Sequence, residues 1–172
     1  MVWSLGVGAV LRGAGWGLAA GFSAFFSASE TAFSSLNQIR LKSRAEDGDG
    51  SAARVLALSE KYDKLLSTIL IGNNIVNIGA ASIGTILFTH WLGQERGATM
   101  STLVLTVVVL IFGEVTPKSL AKEMPETVAT AVSPVLSLLI VLFTPLNWLF
   151  TQWKKLLGHF VHSSEEDTIT EG

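Results

Sequence analysis

The stretch that decides the fold is residues 65–94, LLSTILIGNNIVNIGAASIGTILFTHWLGQ, a run of 30 residues without a formal charge. A helix needs about 20 apolar residues to cross a bilayer, so this run is long enough to span the membrane. Its centre carries three asparagines within five positions, Asn73, Asn74 and Asn77. Polar side chains at that depth are costly, and they predict a functional pathway through the membrane.

The other apolar runs extend the same pattern outward along the chain. Charged residues make up only 15% of the sequence, well below the roughly 25% of soluble domains, and they cluster between uncharged runs. We therefore predict an all-α membrane protein in a lipid bilayer. Its three transmembrane helices are predicted at about residues 4–33, 65–90 and 98–121.

Composition also excludes several classes of function. The chain has no cysteine, which excludes disulfides, thiolate chemistry and Cys-based zinc sites. The basic patch is too small for binding to nucleic acid, so no nucleic-acid partner is expected. The N-terminus lacks the basic region of a secretory signal.

The distribution of basic residues predicts the orientation. The loop 34–64 holds six Lys and Arg residues, whereas the loop 91–97 holds only Arg96. Under the positive-inside rule the first loop is cytoplasmic and the second is outside. We therefore expect a multi-pass protein of the cell inner membrane, with its N-terminus outside and its C-terminus in the cytoplasm.

A fourth apolar run, residues 127–153, leaves two alternatives open. It is long enough for a fourth span, but Pro134 and Pro145 interrupt it, and each proline removes a helical hydrogen bond. Lys154 and Lys155 follow and favour the cytoplasm. We favour a bent pair of helices over residues 125–155, lying along or dipping into the inner leaflet as a juxtamembrane belt.

The loop between the first two spans predicts a cytoplasmic helical hairpin over residues 34–63. Asp47, Gly48, Asp49 and Gly50 form its turn. This DGDG sequence weakly resembles a calcium loop, but the sixth-position glycine and terminal glutamate of such loops are missing. A plain turn is the better interpretation.

The first predicted helix carries a polar stripe, because Ser23, Ser27 and Glu30 have spacings of four and three residues. In the second helix, Asn73 and Asn77 share a face for the same reason. Serines can instead bond to their own backbone, and an asparagine can simply hold two helices together. Glu30 can also lie at the cytoplasmic helix end.

The third cluster is Gly113-Glu114-Val115-Thr116-Pro117-Lys118. Pro117 has no N–H, so the carbonyl of Gly113 loses its helical donor. A free carbonyl beside the Glu114 carboxylate is a common way to build a cation site in a membrane. The alternative is a proline kink in which Glu114 pairs with Lys118, one turn away.

These three clusters offer only oxygen donors: hydroxyls, amide oxygens, one or two carboxylates and a carbonyl. Such a set suits Mg²⁺, Ca²⁺ or Na⁺ and argues against copper and zinc. A dehydrated Mg²⁺ site must also be rigid. We expect glycines to provide the close helix packing that this needs, namely Gly21, Gly72, Gly79, Gly84 and Gly113.

Three motifs together resemble the transmembrane domain of the CorC/CNNM family, also called DUF21. They are SASETA at 27–32, GNNIVN at 72–77 and GEVTPK at 113–118, in the order and spacing of that family. The resemblance covers roughly residues 5–155, and three motifs in register make it specific.

The resemblance implies a homodimeric Mg²⁺ transporter, usually an exporter, driven by Na⁺ influx. It also implies three transmembrane helices with a juxtamembrane belt, in agreement with the layout above. Asn74 and Glu30 are secondary candidates, for Na⁺ or for supporting contacts. The resemblance assigns the Mg²⁺ site to Ser23, Ser27, Asn73, Asn77, Gly113 and Glu114.

Bacterial members of that family continue into a pair of CBS domains that bind ATP. We therefore expect residues 1–155 to form the transmembrane domain and residues 156–172 a cytoplasmic tail that leads towards a CBS region missing from this chain. ATP is then a partner only through that region.

Two other classes of function are alternatives to transport. A non-transporting Mg²⁺ sensor or regulatory subunit would keep the site but move no ion. An intramembrane hydrolase is disfavoured, because the histidines His90, His159 and His162 lie only at or beyond the ends of the apolar runs and there is no Gly-x-Ser-x-Gly motif. We therefore do not expect an enzyme.

Overall fold

The structure is a computed structural model that describes the backbone of residues 2–166 and the side chains of residues 15, 17–153 and 155–156. Within this part every element is helical, which confirms the all-α prediction. A π-helical stretch, Val109–Val115, here called the π segment, joins α5 to α6. The helices are α1 (Val2–Ser34), α2 (Gln38–Glu46), α3 (Gly50–Ser59), α4 (Tyr62–Leu92), α5 (Gln94–Val108), α6 (Thr116–Glu123), α7 (Pro125–Leu142) and α8 (Thr144–Glu166).

The predicted spans lie within longer helices. Residues 4–33 fall in α1, residues 65–90 in α4, and residues 98–121 in the continuous helix Gln94–Glu123 that α5, the π segment and α6 form together. By length and composition, α4, Gln94–Glu123 and α7 are each able to cross a membrane. The predicted tail, 156–172, begins inside α8, and its residues 167–172 lie outside the described part.

A tight connection turns α4 back onto α5. Gly93 has a φ of 81°, a conformation that favours glycine. One turn later, a Cβ on Gly97 would collide with the backbone of Thr89 and Phe88. The two helices can therefore pack backbone to backbone at this end only because residue 97 has no side chain.

Helices α1 and α4 also meet through a glycine. Phe26 of α1 is buried, and its ring lies where a side chain on Gly72 of α4 would stand. This contact brings the polar stripes of the two helices to the same level. Gly21 and Gly79 differ, because a Cβ on either would meet nothing within 4 Å. The prediction of close packing at those two glycines was wrong, since they lie on open helix faces.

The predicted hairpin over residues 34–63 is present as α2 and α3. Asp49 caps α3 by accepting hydrogen bonds from the N–H groups of Ser51 and Ala52. Its other carboxylate oxygen accepts from Arg44 at 2.6 Å. The carboxylate is therefore engaged in the cap and in an ion pair, as a plain turn requires. The cap and the Arg44 hydrogen bond lower the pKa of Asp49 below its usual value.

Arg44 also ties the hairpin to α7. Its guanidinium donates to Glu126 in the first turn of α7 at 2.9 Å, and Arg40 lies 3.5 Å from the same carboxylate. Hydrogen bonds to Asp49 and then Glu126 raise the pKa of Arg44 above its usual value. We call Arg40, Arg44, Asp49 and Glu126 the hairpin ion-pair network.

Both ends of α7 are held on the side of the bundle where α4 begins. The first turn of α7 bonds to α2 through Glu126. Just beyond its last turn, Asn147 of α8 donates to Thr68 at 2.8 Å, and Thr68 is only about 9 Å along α4 from Tyr62. A full crossing by this 18-residue helix, about 27 Å long, would instead end near the far end of α4.

Candidate cation site

The first two polar clusters meet between α1 and α4. The hydroxyl of Ser23 lies 3.5 Å from Oδ1 of Asn73, and Ser23 is only 1% exposed. A hydroxyl–oxygen hydrogen bond is usually about 2.7–2.8 Å long, so this contact is weak and leaves both oxygens able to bind a cation. The structure thus joins two residues that are fifty positions apart in sequence.

The third cluster reaches the same place through the backbone of Gly113. A Cβ at Gly113 would lie 2.9 Å from Oγ of Ser23 and 3.2 Å from its Cβ. The backbone of the π segment therefore lies directly against the Ser23 hydroxyl, because residue 113 is glycine. Three helices thus converge on one buried point.

The π segment changes which carbonyl loses its hydrogen-bond donor at Pro117. The N–H of Thr116 bonds to the carbonyl of Ile111, five residues back. The next residue, Pro117, has no N–H. An N–H at position 117 would bond to the carbonyl of Phe112 in a π-helix, five residues back. In an α-helix it would bond to the carbonyl of Gly113, four residues back. Pro117 therefore leaves one carbonyl of this turn, that of Phe112 or Gly113, without its helical donor.

The remaining candidate ligands lie around this point in different environments. Ser27 is buried on α1, one turn from Ser23. Oδ1 of Asn77 is buried and has no hydrogen-bond partner in the described part of the chain. Buried acceptors are rarely left unpaired, so Asn77 has the capacity to accept a further ligand. Glu114 is half-buried and has no described ion pair.

Lys118 distinguishes between the two interpretations of the third cluster. Its ammonium lies 3.4 Å from Glu30 of α1, so it pairs across helices instead of with Glu114. The alternative of a Glu114–Lys118 pair is therefore not what the structure contains. Glu30 and Lys118 lie one helical turn from Ser27 and Glu114 respectively, on the side where α4 begins.

Two other polar residues of the motifs point away from this point. Asn74 is exposed, and its amide donates to the carbonyl of Leu70 in its own helix at 2.8 Å. Ser29 donates to the carbonyl of Phe25 at 2.6 Å. These residues follow the alternative in which a polar side chain bonds to its own backbone. Asn73 and Ser23 thus contact each other between the helices, whereas Asn74 and Ser29 each bond to the backbone of their own helix.

The donor set suits a hard cation. Among the described residues, no group of three or more His, Cys, Asp or Glu side chains could hold a metal. The site consists instead of hydroxyl, amide and backbone oxygens with one nearby carboxylate. Mg²⁺, Ca²⁺ and Na⁺ bind such oxygens. The π segment was not predicted from the sequence, although Gly113 precedes Pro117 by four residues in an apolar helix, a combination that often disrupts regular helical hydrogen bonding.

The chain is similar to several known proteins. The UPF0053 inner membrane protein YfjD of Escherichia coli is 46% identical over 135 residues, which cover 78% of this chain and 31% of that protein. A UPF0053 protein of Haemophilus influenzae is 42% identical, over 81% of this chain and 33% of its own length. A polyamine export protein of Salmonella typhimurium is 31% identical, over 74% and 31% respectively.

The chain therefore spans about a third of the length of these relatives. The similarity to an inner membrane protein agrees with a multi-pass protein of that membrane. The family model of the Cyclin M transmembrane N-terminal domain matches residues 16–172. With the three motifs in register and the converging helices, the chain belongs to this CNNM family.

Proposed function

We propose that this domain moves Mg²⁺ across the membrane through the site between α1, α4 and the π segment. The observation that carries the proposal is the buried meeting of Ser23, Asn73 and the Gly113 backbone. Oxygen ligands from three separate helices can change their mutual distance when the helices move. Such a site can therefore bind an ion and release it, as transport requires.

The finer features of the proposal rest on the family. We propose export of Mg²⁺ coupled to Na⁺ influx, by a homodimer, with ATP acting only through a CBS region outside this chain. The membership in a membrane transport family supports transport over an enzymatic role. The relative from Salmonella typhimurium is a polyamine export protein, which supports the outward direction of transport.

The proposed orientation places the N-terminus outside and the hairpin in the cytoplasm. The basic loop 34–64 supports this orientation. We further propose that α7 and the start of α8 lie along the inner leaflet, because both ends of α7 contact the region where α4 begins.

Two variants test the site. Asn73→Ala removes an amide oxygen, and Glu114→Gln removes the nearest carboxylate. We expect each to weaken Mg²⁺ binding in calorimetry by at least about tenfold, roughly 1.4 kcal/mol, and to stop Mg²⁺ flux into a dye-loaded liposome. Asn74→Ala is the matched control, because that side chain bonds to its own helix. Wild-type binding and flux in both site variants would rule out the assignment.

The same liposomes separate a transporter from a sensor. A Mg²⁺ sensor would bind the ion in calorimetry and respond to both variants, but the wild-type protein would not change the internal Mg²⁺ concentration. The proposal requires wild-type flux above that of protein-free liposomes, together with an increase in rate when a Na⁺ gradient is imposed.

A second candidate cargo is a polyamine. The observation in its favour is the 31% identity to a polyamine export protein. Polyamines carry several separated ammonium groups and require spaced carboxylates, whereas the site has only one carboxylate without a described partner. Flux of spermidine, with no flux of Mg²⁺, would favour this second cargo.

A further inference from the structure

Phe26 of α1 packs against α4 next to the pair of oxygens at the candidate cation site. The residue is 4% exposed, and its ring occupies the space that a Cβ on Gly72 would fill. Gly72 directly precedes Asn73, whose Oδ1 lies 3.5 Å from the hydroxyl of Ser23. The ring and the glycine therefore meet within about 5 Å of the two oxygens along the helix axes.

The buried ring of Phe26 is held in place by its neighbours. It belongs to the hydrophobic core of the bundle, together with Leu65 and Ile69 of α4. It also meets the ring of Phe25 edge to face, with centroids 5.2 Å apart and an interplanar angle of 79°. Edge-to-face pairs are favourable, and close-packed cores resist changes of volume. The spacing of α1 and α4 at this level is therefore set by one phenyl ring against a residue without a side chain.

The spacing of the two helices determines which cation their oxygens fit. Oxygens lie about 2.0–2.1 Å from Mg²⁺ and about 2.3–2.6 Å from Ca²⁺. Two oxygens bound at right angles are therefore about 2.9 Å apart around Mg²⁺ and about 3.3–3.7 Å apart around Ca²⁺. The 3.5 Å between Ser23 and Asn73 has to shorten by roughly 0.6 Å to fit Mg²⁺ in this way. Any bulk that holds α1 and α4 apart favours the larger ion.

We propose that Phe26, packed against Gly72, is the spacer that determines the size of the divalent cation accepted by the site. The bare backbone of Gly72 lets α1 and α4 approach to the separation that Mg²⁺ requires. Phe26 is a positioning residue, because it acts on the ion only through Ser23 and Asn73. The inference rests on the proposed function and adds the residue that selects between Mg²⁺ and Ca²⁺.

The first test compares the affinities for Mg²⁺ and Ca²⁺ by calorimetry. Gly72→Ala places a Cβ against the ring, and we expect the ratio of Mg²⁺ affinity to Ca²⁺ affinity to fall at least about fivefold. Adding Phe26→Leu to Gly72→Ala should restore most of the ratio, because the shorter side chain makes room for the Cβ. Gly79→Ala is the matched control on the same helix, since its Cβ meets nothing within 4 Å. Equal loss of both ions in Gly72→Ala, with an unchanged ratio, would overturn the proposal.

The second test measures the helix spacing without any ion. The chain has no cysteine, so Ser23→Cys and Asn73→Cys together provide a single pair for disulfide formation in membranes treated with a chelator. Disulfides form only over a narrow range of separations. We expect Gly72→Ala to slow oxidation of this pair at least about fivefold, and Phe26→Leu to restore the rate.

The crosslinking rate separates this inference from the proposed function. An unchanged rate in Gly72→Ala would mean that the ring moves away from the added Cβ, into the apolar groove beside it, and would overturn the proposal. That groove is lined by Leu18, Phe22 and Val135 among others. A rate that responds as expected, in a protein whose wild type binds neither Mg²⁺ nor Ca²⁺, would contradict the proposed function and support the effect of Phe26 on helix spacing.

Discussion

The candidate cation site and the hairpin ion-pair network use polar groups in opposite ways. At the site, Ser23 and Asn73 are held within the bundle by a 3.5 Å contact, and the Asn77 amide oxygen has no described partner. In the network, Arg44 makes short bonds of 2.6 and 2.9 Å to Asp49 and Glu126. The network is the more exposed of the two, and yet it is the better paired.

This difference indicates which region holds the fold and which can bind a ligand. A polar group that is already saturated has no capacity left for a ligand, whereas a buried group with an open lone pair can still accept one. The network therefore fastens α2 and α3 to α7. The site keeps its oxygens available, and glycines at positions 72 and 113 hold the three helices close enough to share them.

The largest expected effect is that of Gly113→Ala on cation binding. The added Cβ would press on Oγ of Ser23, and overpacking of this kind costs about 1–3 kcal/mol. We expect Mg²⁺ affinity in calorimetry to fall by about tenfold or more. Gly79→Ala is the matched control, because nothing lies within 4 Å of its added Cβ. An unchanged affinity in Gly113→Ala would contradict the convergence of three helices.

A smaller effect is expected for Lys118→Gln. This change removes a positive charge one turn from Glu114 and releases Glu30 from its ion pair, so the site becomes more attractive to cations. An exposed pair contributes about 0.2–1 kcal/mol, and we expect Mg²⁺ to bind roughly two- to fivefold more tightly. Lys122→Gln, without a described ion pair, serves as the control. Weaker binding in Lys118→Gln would show that Lys118 supports the site instead of opposing it.

Arg44→Gln should destabilise the hairpin without affecting the candidate cation site. Loss of both carboxylate bonds is expected to raise amide hydrogen exchange in α2 and α3 by about threefold, with Mg²⁺ affinity unchanged. Lys42→Gln, which removes an exposed charge from the same helix without a described ion pair, should leave exchange as it is. A fall in Mg²⁺ affinity in Arg44→Gln would mean that the network also sets the geometry of the site.

The smallest expected effect is that of pH on the hairpin. The pKa of Asp49 is lowered in the fold, chiefly by the cap hydrogen bonds, so its stabilisation is present above its unfolded pKa. That stabilisation is lost as pH falls below about 4 and towards the lower folded value. Hydrogen exchange of α3 between pH 6 and pH 3 measures this loss. Asp49→Asn keeps a capping side chain and should flatten the pH dependence of exchange. A variant with the same pH dependence as the wild type would show that Asp49 is not its cause.

Much of the fold could be read from the sequence. The uncharged runs predicted α1, α4 and the helix Gln94–Glu123, and the DGDG turn predicted the hairpin, because length, charge and turn residues act locally. The glycines were predicted less well. Gly72 and Gly113 meet neighbouring helices, whereas Gly21 and Gly79 do not, and helical spacing alone does not say which face meets a partner.

The sequence by itself determined that this is an α-helical membrane domain with candidate oxygen ligands on three helices, because hydropathy and side-chain chemistry require no knowledge of contacts. Only the tertiary structure decided which of these candidate residues meet. It brought Ser23 to Asn73, turned Asn74 to its own backbone, paired Lys118 with Glu30 and placed a π segment before Pro117. The physical reason is that helix rotation and backbone pairing depend on packing between distant segments.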